Sequence, residues 1–135
     1  MKRNGIINAD ISRVLSYMGH KDTLAVGDCG LPIPEETERI DLALKPGVPS
    51  FMEVLEEIVK DMKIEKIILA EEIREKNHDV LEEILALVNE MDTECEIEYI
   101  PHTEFKMCTK ACKAVVRTGE TTPYANIILQ SACLF

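Results

Sequence analysis

Positive charge is in short supply in this chain: 15 lysines and arginines stand against 25 aspartates and glutamates, a net charge of -10 over 135 residues. A nucleic-acid binder needs a basic footprint, so duplex and single-strand binding are excluded, and an anionic membrane surface is a poor partner for the same reason. No run approaches the roughly 18 apolar residues that a membrane-spanning helix needs. Met1-Lys2-Arg3-Asn4-Gly5 leads straight into a helical pattern, with neither the apolar stretch nor the cleavage pattern of a signal peptide. The five cysteines, an odd number at irregular positions, suit a reducing compartment better than a disulfide framework. The expected location is therefore the cytoplasm. GxGxxG, GxxxxGKS/T and HExxH are all missing, as is any pair of CxxC motifs, so no nucleotide cradle or zinc site is expected. Cys108 and Cys112 are read as helix-packing residues, and no metal is assigned.

There is also no repeat, low-complexity tract or flexible linker, and the length fits one domain, residues 1–135. Asp10 is placed to cap a helix carrying Ile11, Val14, Leu15 and Met18, with Gly19 as its left-handed stop and His20 just beyond. Thr23 to Asp28 reads as a strand, closed by the Cys29-Gly30-Leu31-Pro32-Ile33-Pro34 loop. Residues 39–44 alternate as a second strand. Ser50-x-x-Glu53 is a capping box for a helix bearing Met52, Leu55, Val59 and Met62, followed by a buried strand from Ile64 to Ala70. Asn77 or Asp79 caps a third helix, with Leu81, Ile84, Leu85, Val88 and Met91 on its stripe, and Cys95, Ile97 and Tyr99 alternate in the strand after it. Pro101 starts a short helix over 102–112, and strands follow at 113–117 and from Ile127 to about Leu134. Helices interleaved with strands imply parallel crossovers, hence an α/β class: a single three-layer α/β/α domain with a largely parallel central sheet. The glutamate-rich stretches 53–57 and 71–75 read as solvated helix faces. The apolar ending Ala132-Cys133-Leu134-Phe135 suggests a buried terminus, in the chain's own core or in a subunit contact.

The polar residues that stand out sit at segment junctions: His20, Asp28, His102, and Tyr124 to Asn126 beside Pro123. Each has a plain structural reading. A histidine can decorate a helix end, an aspartate after a strand can make an Asx turn, and Tyr124 and Asn126 can simply close a loop. Together they offer two imidazoles titrating near about 6.5, a carboxylate, a phenol and an amide, which suits hydroxyl binding and proton transfer near neutral pH. His78 lies in a charged run and is left out. The chemistry these groups allow is that of a cofactor-free sugar enzyme: opening a hemiacetal requires one group to remove the anomeric hydroxyl proton and another to protonate the ring oxygen.

The same residues carry a resemblance to a known family. Gly5-Ile6-Ile7-Asn8, Leu15 through Gly19-His20, Asp28-Cys29-Gly30-Leu31-Pro32-Ile33-Pro34 and Arg39-Ile40-Asp41-Leu42-Ala43-Leu44 match it. So do Gly47-Val48-Pro49-Ser50-Phe51, Ala70-Glu71-Glu72-Ile73, His102-Thr103-Glu104-Phe105-Lys106, Ala114 to Glu120, and Thr122 to Gln130. Nearly end to end, the chain resembles the ribose pyranase and fucose mutarotase family. That resemblance implies a cofactor-independent isomerase that interconverts pyranose and furanose D-ribose, with His20 as proton donor and Asp28, His102, Tyr124, Ala125 and Asn126 as sugar-binding positions. It also implies a homo-oligomer, commonly a decamer of two pentameric rings, with sites shared between neighbouring subunits. A mutarotase of another monosaccharide such as fucose, or a ribose-binding module without catalysis, would draw on the same residues. Cys29, where the family pattern has alanine, and the cysteine-rich region 108–133 are departures that remove no proposed catalytic group.

Overall fold

The computed structural model describes residues 1–135. Six strands form one sheet: β1 (Thr23–Gly27), β2 (Glu38–Asp41), β3 (Ile64–Ala70), β4 (Glu96–Ile100), β5 (Ala114–Arg117) and β6 (Ile127–Ser131), in the spatial order β2-β5-β1-β6-β3-β4. β2, β5 and β1 are parallel, as are β3 and β4, while β6 pairs antiparallel with both β1 and β3. Five strands therefore point one way and β6 alone runs against them.

The helices are α1 (Ala9–Tyr17), α2 (Phe51–Asp61), α3 (Ile73–Lys76), α4 (His78–Met91) and α5 (His102–Cys108), the last continuing into a 3-10 turn over Thr109–Ala111. Alternation along the strands divides the side chains between two cores. Leu24 and Val26 of β1, Ala114 and Val116 of β5, Ile127 and Leu129 of β6, and Ile67 and Leu69 of β3 share the larger core with apolar residues of α1, α2 and α4. Ala25, Val115 and Ile128 face the other way, under Phe105 of α5, Leu31 and Cys112. The three layers are thus unequal, with several helices on one face and a single short one on the other. Full burial of Phe105 contributes about 1.5 to 3 kcal/mol to docking α5 there, which in turn positions His102.

Local signals explain most boundaries, and several differ from expectation. Asn8, not Asp10, caps α1, its Oδ1 accepting from the Ile11 N–H at 2.9 Å. The helix ends by turning extended at Met18, and the left-handed residue is Lys21 rather than Gly19. The Ser50–Glu53 capping box forms as read. Past Asp41 the Leu42 N–H still donates to the Arg117 carbonyl of β5 at 2.9 Å, but the Ala43 N–H turns back to the Asp41 carboxylate at 3.0 Å, so the expected strand over 39–44 ends before Leu44. β4 is an edge strand without clean alternation, its Ile97 exposed. β6 ends at Ser131, and Leu134 and Phe135 are 90% and 108% exposed, so the terminus is not buried within its own chain. Of the two cysteines read as helix-packing, Cys112 packs in the smaller core just past the 3-10 turn, whereas Cys108 is exposed.

Candidate active site

Parallel strands collect their carboxyl ends at one edge, where α/β sheets bind ligands. Because β6 is antiparallel, the loop preceding it reaches the same edge. Asp28 follows β1 directly, His102 opens α5 just beyond β4, and Tyr124, Ala125 and Asn126 lead into β6. Junction residues from three separate stretches of the chain, Asp28, His102, and Tyr124 with Asn126, are thereby brought together.

Asp28 and Asn126 clasp each other. The Asp28 N–H donates to Asn126 Oδ1 at 2.9 Å, and Asn126 Nδ2 donates to Asp28 Oδ2 at 3.1 Å. The remaining carboxylate oxygen accepts from the Gly30 N–H at 2.9 Å. Only glycine fits at position 27, where a Cβ would lie 2.9 Å from Asn126 Oδ1 and 2.6 Å from Leu31 Cδ2. Burial pushes the Asp28 carboxyl above its usual pKa, with the hydrogen bonds from Gly30 and Asn126 pulling the other way. Cys29 does not disturb this arrangement, because its ordered contacts are through the backbone: its carbonyl accepts from Arg117 Nε at 3.1 Å and its N–H donates to the Glu120 carbonyl at 2.9 Å.

The His102 N–H is held by both carboxylate oxygens of Glu72, at 3.0 Å each. The imidazole stands edge-to-face against Tyr124, with ring centroids 5.1 Å apart, and lies nearly parallel to Phe105. Its Nδ1 is sealed from solvent without a hydrogen-bond partner. Protonating that nitrogen would bury an orphaned N–H, so the neutral ring carries its proton on Nε2, a donor available to a ligand. Burial, and then the charge of Lys106 one turn along, push this imidazole pKa below its usual 6.5, against the opposing pull of Glu72 and Asp28.

Tyr124 occupies left-handed backbone (φ 57°), and the loop is tied down by Asn77, whose Nδ2 donates to Thr122 Oγ1 and to the Pro123 carbonyl, both at 2.9 Å. Asn77 stands at the N-cap position of α4, yet makes no side-chain capping bond. It supports the site instead. The Ala125 side chain is fully buried in the larger core, so only its backbone can meet a ligand. Glu72, read from sequence as part of a solvated charge run, is in fact the cap that fixes His102.

His20 is not part of this group. It precedes β1 at the opposite edge of the sheet, exposed, with Nε2 2.8 Å from Glu65 Oε2. A five-residue strand separates it from Asp28 by on the order of 17 Å at ~3.3 Å per residue. A cavity of about 680 Å³ lies elsewhere again, a largely apolar groove lined by Ile6, Ile7, Ile11, Leu42, Val48 and Val54 among others. Glu53 and Glu57 are its charged lining residues, and none of the junction residues lines it.

The depressed His102 pKa has a measurable consequence. Between its folded pKa and 6.5 the unfolded chain binds a proton that His102 refuses, so stability falls as pH drops through that window. Asp28, raised from 3.8, acts with the opposite sign and at lower pH. Thermal unfolding followed from about pH 7.5 to about 5.5 is expected to decline less in His102→Asn than in the unmodified protein. Equal slopes would mean that His102 titrates normally.

Known proteins resemble this chain over its whole length. A family model described as the RbsD / FucU transport protein family matches residues 1–134. The D-ribose pyranases of Lactobacillus johnsonii and Halalkalibacterium halodurans are each 50% identical over 135 residues, covering 100% of both chains in each comparison. The structure of Bacillus subtilis RbsD complexed with D-ribose superposes with a TM-score of 0.92 at 44% identity, covering 100% of both chains. The fucose mutarotase of Streptococcus pneumoniae in complex with L-fucose gives a TM-score of 0.73 at 26% identity, over 96% of this chain and 95% of that one.

Proposed function

Because the chain belongs to the RbsD / FucU family, we propose that it is a D-ribose pyranase, opening the pyranose ring of D-ribose and letting it reclose as the furanose. The observation that carries this reading is the full-length likeness to D-ribose pyranases together with the Asp28–His102–Tyr124–Asn126 cluster at the carboxyl edge of the sheet.

In ring opening, the C1–O5 bond breaks and its electron pair passes to O5, which takes a proton from His20. The anomeric hydroxyl gives up its proton, received on the Asp28 side, and becomes the aldehyde oxygen. Rotation about the chain then brings O4 to C1. O4 loses its proton as the new C–O bond forms, and the carbonyl oxygen takes one back. Each half-reaction moves one proton on and one off, so the cycle closes without redox change or cofactor. Asp28 accepts from ribose hydroxyls, His102 donates from Nε2, and Tyr124 and Asn126 complete the grip on the vicinal hydroxyls.

One chain holds the two halves of this machinery at opposite edges of its sheet, so His20 reaches the sugar from a neighbouring copy. A head-to-tail contact of that kind forms a ring where its rotation closes, and the assembly we favour is a decamer of two pentameric rings. The exposed Leu134 and Phe135 are apolar surface suited to a subunit contact. Five unpaired thiols agree with residence in the reducing cytoplasm.

Saturation-transfer proton NMR on D-ribose at equilibrium tests the function. Faster exchange between pyranose and furanose anomeric signals on adding the protein is the expected result. No acceleration on ribose, with acceleration of anomer exchange on L-fucose, would assign the protein to the mutarotase side of the family.

A further inference from the structure

We infer that Glu65, itself held by Gln130, is the positioning residue for His20, fixing which ring nitrogen exchanges protons with the sugar. This inference rests on the reading of His20 as the proton-transferring group.

Three observations converge on it. Glu65 lies where the β3–β6 pairing slips: Ile64 pairs with Ser131 and Lys66 with Gln130, leaving Glu65 as the extra residue between them. Such a bulge re-aims a side chain and is common beside active sites. Here it sends the Glu65 carboxylate across β6 toward the segment preceding β1, where Oε2 meets His20 Nε2 at 2.8 Å.

The other carboxylate oxygen is occupied as well. Gln130 Nε2 donates to Glu65 Oε1 at 2.6 Å, and Gln130 is locked in the middle of the sheet, paired with Thr23 on one side and Lys66 on the other. The His20 segment is tied to the same strand, Lys21 N–H donating to the Ser131 carbonyl and Ser131 N–H to the Asp22 carbonyl, both at 2.9 Å. Carboxylate and imidazole are therefore anchored to one rigid strand. The hydrogen bonds from Gln130 and then His20 hold the Glu65 carboxyl below its usual pKa, so it remains an acceptor.

A carboxylate on Nε2 keeps the proton there in the neutral ring, leaving Nδ1 as the nitrogen that receives and returns a proton. The carboxylate thus fixes the tautomer and the ring orientation, the orienting logic of a carboxylate behind a catalytic histidine. The sequence alone gave no hint of it, since Glu65 reads there as one polar position in a buried strand.

The test compares Glu65→Ala, Glu65→Gln, His20→Ala and the His20→Ala/Glu65→Ala double variant by ribose exchange, with ¹⁵N NMR of the His20 ring. Glu65→Ala is expected to lower kcat roughly 10- to 100-fold with KM changed by no more than about twofold. Its His20 ring should lose the Nε2–H preference seen in the unmodified protein. Glu65→Gln, which keeps an oxygen for Nε2–H, should recover part of the rate, and the double variant should be no slower than His20→Ala. If Glu65→Ala fails to fold, Glu65→Gln against the unmodified protein decides, a lower kcat at unchanged KM supporting the inference and equal rates overturning it. An inactive His20→Ala beside a fully active Glu65→Ala, or an additive loss in the double variant, would overturn the role of Glu65 while leaving His20 in place. Full activity in His20→Ala would overturn both.

Discussion

Replacing His20 by alanine is expected to slow ribose ring exchange by roughly 10²- to 10⁴-fold, the range over which one positioned acid or base acts, while leaving the fold intact. The two halves of that expectation have separate causes. His20 is exposed, and its side chain bonds only to Glu65, so its loss creates no cavity and orphans no deeply buried group. Substitutions at such surface positions usually alter stability by no more than about 0.5 kcal/mol. Catalysis has no such latitude. Ring oxygen protonation requires a group that can both give and take a proton near neutral pH, and His102, with its lowered pKa and sealed Nδ1, is built to stay neutral. Ribose exchange measured beside an unfolding curve checks both halves, and a His20→Ala protein that is slow because it is unfolded would not support the assignment.

Asn126→Ala is expected to damage activity and stability together. Asn126 is 1% exposed and serves the Asp28 backbone and carboxylate at once. Removing it leaves the Asp28 N–H without its acceptor and frees one carboxylate oxygen to swing away. An unsatisfied buried group costs about 1–3 kcal/mol, which urea unfolding would register. A displacement of about 1 Å in a catalytic group can cost on the order of 10²-fold in rate, and Asn126 is itself a proposed sugar ligand. The expected result is thus about a 10²-fold fall in kcat/KM together with an earlier urea midpoint. An Asn126→Ala protein with unchanged activity would mean that the clasp does not position Asp28.

Much of this arrangement was legible in the residues, for reasons that can be named. The Ser50–Glu53 box, the apolar runs that became β3 and β6, and the proline-rich closure after Asp28 are local signals, and each produced the element it implied. Local patterns do not report strand order. That β6 inserts antiparallel between β1 and β3 follows from tertiary pairing, yet this insertion is what carries Tyr124 to Asn126 to the same edge as Asp28. Side-chain partners across long separations were equally hidden. Glu72 lay within an acidic run and Asn77 looked like a cap, but their bonds go to His102 and to the loop before Tyr124, 30 to 46 residues away. The separation of His20 from the other site residues also has no local signature, because adjacency in sequence to β1 does not tell at which end of the strand chemistry occurs.

That separation makes the shared site the point on which the functional reading turns. The most direct measurement mixes two defective proteins, His20→Ala and Asp28→Ala, refolds them together in equal amounts, and follows ribose pyranose–furanose exchange by saturation-transfer NMR. In a head-to-tail ring about a quarter of the interfaces would join an intact His20 from one subunit to an intact Asp28 from the next. Recovery to about a quarter of the unmodified activity from two nearly inactive parents is the expected result. A mixture no more active than its parents would contradict a site built from two chains.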